Sequence, residues 1–265
     1  MSASTRFKVD FLIVGTQKGG TTALAHFLRA HPSICVAPNK EAHFFDDPSL
    51  ADLRWESPEA GRRFCSFFPN YTGQPRVGEA TPIYMYLPGV PERIRRYNPA
   101  MKLILLLREP SDRALSHYAH SRRHHRERLP FPLALMLEQR RLARDWGDFD
   151  WNSSLRWHSY TDRGRYSPQI REMSAQFAAE QMLFLKTEEL VNDHDRCLGR
   201  VFRFLGVEVP DPLPPHEVVH TSERRHWAPA FCRRWVARQC YESTLELEGL
   251  TGWDLSRWKH AAGGG

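Results

Sequence analysis

Short apolar runs alternate with amphipathic stretches along this chain. Phe11–Val14 is an apolar run that ends at a glycine, and Lys102–Leu107 is a continuous aliphatic run. Such runs are typical of strands that are covered on both faces. Between them, Thr21–Ala30 places its large apolar side chains on one helical face and stops before a proline. The first third of the chain therefore predicts strands and helices in alternation.

The same patterns recur further along the chain. They predict strands at Ile34–Val36, Val77–Gly78 and Met182–Leu185, helices that start at Pro110, lie near Gln169–Ala178, close at Gly206 and cover Ala230–Glu248, and a loop at Pro210–Pro215. This alternation predicts one α/β domain with a central parallel sheet flanked by helices, in which ligands bind at the carboxyl ends of the strands. We place the domain at residues 1–260 and expect residues 261–265 to form a disordered tail.

Composition excludes several classes of protein. Of 265 residues, 41% are hydrophobic and 12% are aromatic, so the chain is neither disordered nor collagen-like. No apolar stretch approaches the length of a transmembrane helix, and the first residues hold no apolar signal core. The five cysteines are scattered and odd in number, which indicates reduced thiols. We therefore expect a cytoplasmic protein that has no membrane partner.

The net charge of +6 is concentrated in one segment. Residues 93–128 contain ten lysines and arginines against three carboxylates, a local balance of +7. A local basic cluster suits a small anionic ligand, whereas a long polyanion is bound by a uniformly basic surface. We therefore expect no nucleic-acid partner. A solvated charged face is the alternative interpretation.

The sharpest motif lies between the first predicted strand and the first helix. It reads Gly15-Thr16-Gln17-Lys18-Gly19-Gly20-Thr21-Thr22. Small residues let the backbone wrap an anion, and the helix N-terminus directs N–H groups towards it. A Walker A loop carries its lysine after the last glycine, whereas Lys18 precedes the paired glycines. The motif predicts a phosphate-like ligand other than ATP with magnesium, and an ordinary glycine-rich turn is the alternative.

A second motif follows the aliphatic strand. It reads Arg108-Glu109-Pro110-Ser111-Asp112-Arg113, and Ser116 lies on the helix beyond. A magnesium-dependent NTPase would need an aspartate at this strand end, and an arginine stands there instead. The planar guanidinium of Arg108 suits a further phosphate, to which Ser116 can add a hydroxyl donor. An arginine–carboxylate pair at a helix start is the alternative.

Together the two motifs resemble the sulfotransferase family that uses 3′-phosphoadenosine 5′-phosphosulfate (PAPS). The stretches Lys40-Glu41-Ala42-His43-Phe44-Phe45 and Gly78-Glu79-Ala80-Thr81-Pro82-Ile83-Tyr84 are similar to the heparan sulfate (glycosaminoglycan) branch. The resemblance covers most of the chain and implies a P-loop-like fold. It also implies in-line transfer of a sulfuryl group from PAPS to an acceptor hydroxyl, or less readily an amine, without a metal. The chain departs from that branch in several ways: Ala80 replaces its usual lysine, no cysteine pair matches the one that staples its late loop, and the membrane anchor of those enzymes has no counterpart. We therefore expect a cytoplasmic bacterial relative that acts on another small-molecule or glycan acceptor.

The resemblance also implies roles for individual residues. The cofactor-binding set that it implies is Lys18, Gly19, Gly20, Thr21 and Thr22 for the phosphosulfate, Arg108 and Ser116 for the 3′-phosphate, and Arg224 and Arg225 in a late loop over the cofactor. Lys18 would also stabilise the charge on the departing oxygen. Glu41 occupies the position of the catalytic glutamate of the heparan sulfate branch, while His43 and Glu79 are competing candidates for the general base. The structural alternative is that Glu41 only pairs with Lys40 or caps a local turn.

Several features stay open at the level of sequence. His117, His120 and His124 share a helical face without a further ligand at metal-binding spacing, so we expect solvated or phosphate-proximal side chains. The tryptophans at 146, 151 and 157 suit either sugar stacking or a core. A nucleotide-dependent kinase or NTPase and a non-catalytic polyanion-binding protein are the alternative functions.

Overall fold

The computed structural model describes residues 7–39, 41–216 and 229–260. These residues divide into two compact units. The first unit takes its described residues from 7–85, 89–107 and 176–216, and the second takes them from 86–88, 108–175 and 229–260. The strands are β1 (Phe11–Gly15), β2 (Ile34–Val36), β3 (Arg76–Ala80), β4 (Lys102–Leu107) and β5 (Met182–Lys186). The helices are α1 (Thr21–Arg29), α2 (Pro58–Cys65), α3 (Val90–Tyr97), α4 (Pro110–Arg123), α5 (Phe131–Arg144), α6 (Ser154–Trp157), α7 (Tyr166–Ser174), α8 (Thr187–Asn192), α9 (His194–Leu205), α10 (Ala230–Gln239), α11 (Tyr241–Thr251) and α12 (Ser256–His260).

The first unit is built on a parallel sheet. Within the described part of the chain, five strands join in the order β2-β3-β1-β4-β5, so β1 lies between β3 and β4. All four pairings are parallel. The loops that follow the strands therefore leave from one edge of the sheet, which is the edge where ligands bind in such folds. The predicted α/β fold class is confirmed.

Apolar helix faces cover this sheet. Leu24 and Phe27 of α1 share one buried cluster with Val201 and Phe202 of α9 and with Ile104 of β4. Burying a side chain of this size stabilises the fold by about 1.5–3 kcal/mol. The regular spacing of these residues explains why the sequence predicts both helices and the aliphatic strand between them.

A cluster of aromatic rings anchors the segment after β2. Phe44 stacks on Phe64 of α2, with ring centroids 4.2 Å apart and planes 10° apart. Phe45 meets Trp55 and Tyr97 at 5.5 Å and 5.6 Å. Aromatic pairs of this kind add about 0.5–1.5 kcal/mol each beyond the area they bury. The polar residues on either side of Phe44 and Phe45 are thus held on a rigid base.

The second unit is helical and contains buried charges. Arg113 and Arg163 are fully buried, and Arg163 Nη2 donates to the Arg156 carbonyl at 3.3 Å. Glu138 of α5 accepts hydrogen bonds from the backbone N–H groups of residues 161 and 162 at 2.7–2.9 Å. Burial raises the pKa of the Glu138 carboxyl to about 7. These polar contacts fix the turn that precedes α7.

Element boundaries differ from the prediction at several places. The stretch Ala230–Glu248 is two helices, because the chain turns at Cys240, which is fully buried with its Sγ 3.6 Å from the Thr161 carbonyl. The helix expected near Gln169–Ala178 is displaced to Tyr166–Ser174, since the buried Tyr166 belongs to it. Helices α2, α3, α5, α6, α8 and α12 were not predicted. Residues 261–265 lie outside the described residues.

All five cysteines are free thiols. Cys65 on α2 is half-buried, and the other four are buried. Burial raises the pKa of the Cys197 and Cys240 thiols to about 12, and it raises the pKa of the Cys35 and Cys232 thiols as well. In the three described segments, no helix is both long and apolar enough to cross a bilayer.

Candidate functional site

The glycine-rich loop between β1 and α1 lies at the carboxyl edge of the sheet. Thr16 N–H donates to the Leu106 carbonyl at 2.7 Å, and Gly19 N–H donates to the Thr16 carbonyl at 2.8 Å. A β-carbon on Gly19 would lie 2.6 Å from the Leu106 oxygen. Only glycine fits so close to another backbone, so the loop is fastened tightly to the end of β4.

Two residues of this loop have a left-handed backbone. Lys18 has a φ of +71° and Gly20 a φ of +95°. A left-handed lysine costs about 1–2 kcal/mol, and such strain is concentrated at functional sites. Gly20 precedes α1 without a side-chain cap, and the first turn of α1 contains no acidic residue. The start of α1, with Lys18 beside it in the chain, therefore has the chemistry of an anion-binding site.

A group of titratable side chains follows β2. His43 Nε2 lies 3.3 Å from Glu41 Oε2, and His43 Nδ1 lies 2.9 Å and 3.1 Å from the two carboxylate oxygens of Asp46. The side chains of Glu41 and His43 are 23% and 27% exposed, whereas that of Asp46 is fully buried. Solvent, and hence a substrate, can reach Glu41 and His43 but not Asp46.

The imidazole between these two carboxylates is held in its protonated form. Burial lowers the pKa of His43, but its hydrogen bonds to Asp46 and Glu41 outweigh burial and raise it from 6.5 to about 9. His43 therefore carries a positive charge at neutral pH, and a protonated imidazole accepts no further proton. Its backbone is also left-handed, with a φ of +52°.

Residues at the end of β3 and directly after it hold this group in place. Thr81 Oγ1 accepts a hydrogen bond from His43 N–H at 3.2 Å and donates to Glu79 Oε2 at 2.7 Å. The Tyr84 hydroxyl accepts from Phe44 N–H at 2.8 Å. Glu79 is 1% exposed, and burial raises the pKa of its carboxyl to about 7. Glu79 thus contacts Thr81, which in turn holds the His43 backbone, and Glu79 is closed to solvent.

Arg108 and Ser116 belong to the second unit. Arg108 is 8% exposed, and its Nη2 lies 3.9 Å from Asp112 Oδ2, at the outer limit of an ion pair. Asp112 also meets Arg233 Nη1 at 2.5 Å. The Tyr166 hydroxyl donates to the Arg108 carbonyl at 2.7 Å. Ser116 is half-buried on α4. The arginine–carboxylate pair considered from the sequence is present as a loose contact.

The structure brings two of the candidate bases together and adds residues that the sequence did not single out. Glu41 and His43 are in contact, and Asp46 and Thr81 complete their surroundings. The spacing of His43 and Asp46, three residues apart after a strand, was the available signal for Asp46. The predicted cofactor residues Arg224 and Arg225, and Lys40 of the second resemblance motif, lie outside the described residues.

The expectation of solvated or phosphate-proximal histidines on α4 is wrong for one of them. His117 is fully buried, its Nε2 donates to the Arg156 carbonyl at 3.2 Å, and burial lowers its pKa. His120 stacks on Trp157 with planes 8° apart. This helical face runs from the core outwards, so its histidines occupy different environments. Within residues 7–39, 41–216 and 229–260, no group of three or more His, Cys, Asp or Glu side chains is arranged so that it could hold a metal ion.

The tryptophans divide between surface and partial burial. Trp146 and Trp151 are 62% and 42% exposed, so neither belongs to a core. Trp157 is half-buried between the His120 ring and the Arg126 guanidinium, which lies 5.1 Å from its centroid. The core interpretation therefore fails for the first two.

Known proteins match this chain over most of its length. Human heparan sulfate glucosamine 3-O-sulfotransferase 3B1 is 30% identical over 197 residues, which are 74% of this chain and 46% of that protein. Human heparan sulfate glucosamine 3-O-sulfotransferase 6 is 34% identical over 197 residues, 74% of this chain and 52% of that protein. The chain thus spans about half the length of the curated relatives it matches.

Solved structures and a family model also identify similarity to sulfotransferases. A sulfotransferase from Alicyclobacillus acidocaldarius has a TM-score of 0.76 and 28% identity, covering 96% of this chain and 99% of that one. The sulfotransferase domain from the Synechococcus PCC 7002 olefin synthase shares the fold, with a TM-score of 0.54 at 17% identity. The family model of the sulfotransferase domain matches residues 8–227 of this chain. As its two motifs predict, the chain belongs to the sulfotransferase domain family.

Proposed function

We propose that this protein transfers a sulfuryl group from PAPS to a hydroxyl group of a carbohydrate, glycoconjugate or other small acceptor, with an amine as the less favoured nucleophile. Family membership supports the reaction class, and the names of the human relatives favour a carbohydrate hydroxyl. The observation that carries the proposal is the contact of Glu41, His43 and Asp46 with one another. The segment that holds them follows β2 and starts at the same edge of the sheet as the glycine-rich loop.

The glycine-rich loop fits an anionic donor. Lys18 supplies a cation, the start of α1 supplies N–H donors, and Gly19 leaves no side chain against the strand end. PAPS, when bound, supplies the sulfuryl group and the adenosine bisphosphate that leaves. We assign the N–H groups from Gly19 to Thr22 to hold the anion, and Lys18 to neutralise the charge that grows on the departing oxygen.

The remaining donor contacts are assigned from the motifs. Arg108 and Ser116 are assigned to the 3′-phosphate, because a guanidinium and a hydroxyl are matched donors for a phosphate. Arg224 and Arg225 are assigned to cover the nucleotide. No metal is assigned, since Arg108 stands where a magnesium-dependent NTPase carries an aspartate.

Glu41 is the best-supported general base. An acceptor hydroxyl needs a group that takes its proton during attack, a contribution worth about 10²–10⁴ in rate. His43 is already protonated at neutral pH, and Glu79 and Asp46 are closed to solvent. Glu41 is a carboxylate that solvent reaches, and the charged His43 imidazole orients it from 3.3 Å. His43 and Asp46 therefore act as positioning residues for Glu41.

Transfer of label from radiolabelled PAPS to a panel of desulfated glycans and small hydroxyl compounds tests the proposal. We expect labelled product on a carbohydrate acceptor, with loss of transfer in Glu41→Gln and unchanged transfer in Glu59→Gln, a surface carboxylate on α2. Absence of transfer to any acceptor, together with magnesium-dependent ATP turnover, would instead identify a kinase or NTPase. Salt-sensitive heparin binding without affinity for adenosine 3′,5′-bisphosphate would identify a polyanion-binding protein.

A further inference from the structure

Thr187 connects the ends of three strands. It is the first residue of α8 and follows β5 directly. Its Oγ1 lies 2.6 Å from the Gly19 carbonyl oxygen and 3.0 Å from the Leu107 carbonyl oxygen. In the sheet, β4 separates β5 from β1. One hydroxyl group therefore reaches from the end of β5, past the end of β4, to the middle of the glycine-rich loop.

The contact with Gly19 fixes the direction of a whole peptide group. The peptide bond between Gly19 and Gly20 is trans and planar, so its carbonyl and its N–H point in opposite directions. When the Gly19 carbonyl is turned towards Thr187, the Gly20 N–H is turned away from it. A carbonyl facing a bound anion would repel it, whereas an N–H attracts it. The Thr187 hydroxyl thus favours the orientation of this peptide in which the Gly20 N–H is directed away from Thr187.

This peptide group needs a constraint from outside the loop. Glycine lies on both of its sides, and glycine permits backbone rotations that other residues forbid. On the other side of Gly19, its N–H is held by the Thr16 carbonyl at 2.8 Å. The methyl group of Thr187 would lie 3.7 Å from a β-carbon on Gly20, so threonine also packs beside that residue. Thr187 therefore offers this peptide both a hydrogen bond and a packing contact.

We propose that Thr187 is a positioning residue for the donor site, which holds the Gly19–Gly20 peptide so that the Gly20 N–H faces the phosphosulfate group. The inference rests on the proposed function, because it assigns the loop to that donor. It adds a residue from the far side of the sheet, more than 160 positions away in sequence, to the machinery that binds the donor.

Two substitutions separate the hydroxyl from the rest of the side chain. Thr187→Val keeps the shape and removes the hydroxyl, and Thr187→Ser keeps the hydroxyl. We expect Thr187→Val to weaken binding of adenosine 3′,5′-bisphosphate by about threefold to tenfold, as loss of one hydrogen bond does. We expect kcat to fall further, by about tenfold to hundredfold, because a misdirected N–H matters most in the transition state. Thr187→Ser should restore both values to within about threefold of the wild type.

Amide hydrogen exchange in residues 15–22 of the nucleotide-free protein gives a readout that does not need activity. Exchange in this loop should be faster in Thr187→Val than in the wild type or in Thr187→Ser. The matched control is Thr251→Val, which removes a hydroxyl that donates to the Leu247 carbonyl at 2.7 Å in α11 and should change none of these values.

The outcomes distinguish this inference from the proposed function. If Thr187→Val matches the wild type in exchange and nucleotide affinity, or if Thr187→Ser is as impaired as Thr187→Val, the positioning role is wrong. If the wild type binds no adenosine 3′,5′-bisphosphate, the proposed function fails, while loop exchange still decides whether the Thr187 hydroxyl holds the loop.

Discussion

The protonated His43 makes stability depend on pH in a direction that the structure fixes. The pKa of His43 is about 9, against an ordinary value of 6.5. This stabilisation is fully present below pH 6.5, and it is lost as the pH rises through about 9. The difference between the two pKa values corresponds to about 3 kcal/mol of unfolding free energy, as an upper figure. The side chain is 27% exposed, so solvent screens part of this interaction.

Substitution of His43 by asparagine isolates this contribution. Asparagine offers an N–H donor to Asp46, tolerates the left-handed backbone at this position and carries no charge. Urea unfolding of the wild type and of His43→Asn at about pH 6 and about pH 10 gives four free energies. We expect the advantage of the wild type over the variant to shrink by up to about 3 kcal/mol between the two pH values.

Titrating groups that do not interact with His43 cancel in this comparison. Asp10 and Glu138, with pKa values raised by burial to about 6 and about 7, are present in both proteins. Glu79 is the exception, because burial raises its pKa to about 7 and the charge of His43 lowers it.

A difference between wild type and variant that is the same at both pH values, or larger at high pH, would refute the idea that Glu41 and Asp46 hold His43 in its charged form. In a parallel measurement, NMR titration of Asp46→Asn should show the pKa of His43 closer to 6.5.

Three further predictions concern turnover and nucleotide binding. Glu41→Gln should lower turnover by about 10²–10⁴ with unchanged affinity for adenosine 3′,5′-bisphosphate, and near-normal turnover would pass the base role to His43 or Glu79, whichever fails when replaced. Lys18→Ala should lower kcat by about a hundredfold or more with a smaller change in PAPS affinity, and the reverse pattern in steady-state kinetics would make Lys18 a binding residue only. Arg108→Ala should weaken adenosine 3′,5′-bisphosphate by about tenfold to hundredfold and leave 5′-AMP unchanged, and equal wild-type affinities for both nucleotides in calorimetry would contradict the 3′-phosphate assignment.

Local sequence is enough to predict the parts of this protein whose residues act on near neighbours. The aliphatic run Lys102–Leu107 is β4 with the predicted bounds, because every residue in it is apolar or at its edge. The glycine-rich loop is predicted equally well, since its glycines and lysine are neighbours in the sequence. The end of α9 at Gly206, whose φ is +72°, is a third case. In each case the physical cause lies within a few residues.

Contacts between distant residues were beyond the reach of sequence reasoning. The protonation of His43 depends on burial and on Asp46, and its backbone position depends on Thr81, which lies 38 residues away. The contact of Thr187 with Gly19 spans 168 residues. Single residues of this kind leave no periodic pattern, so only the assembled sheet identifies them. The break at Cys240 is similar, because neither glycine nor proline marks it.

The burial of four thiols leaves this protein with a natural handle for site-specific labelling. Thiol reagents attack the thiolate, so Cys35, Cys197, Cys232 and Cys240, which are buried and hard to deprotonate, should react slowly. Cys65 is the accessible thiol, and it adjoins Phe64, whose ring stacks on Phe44 next to His43. A maleimide fluorophore attached there would report on the segment that carries Glu41 and His43, so acceptor binding can be followed by fluorescence in an otherwise unaltered chain.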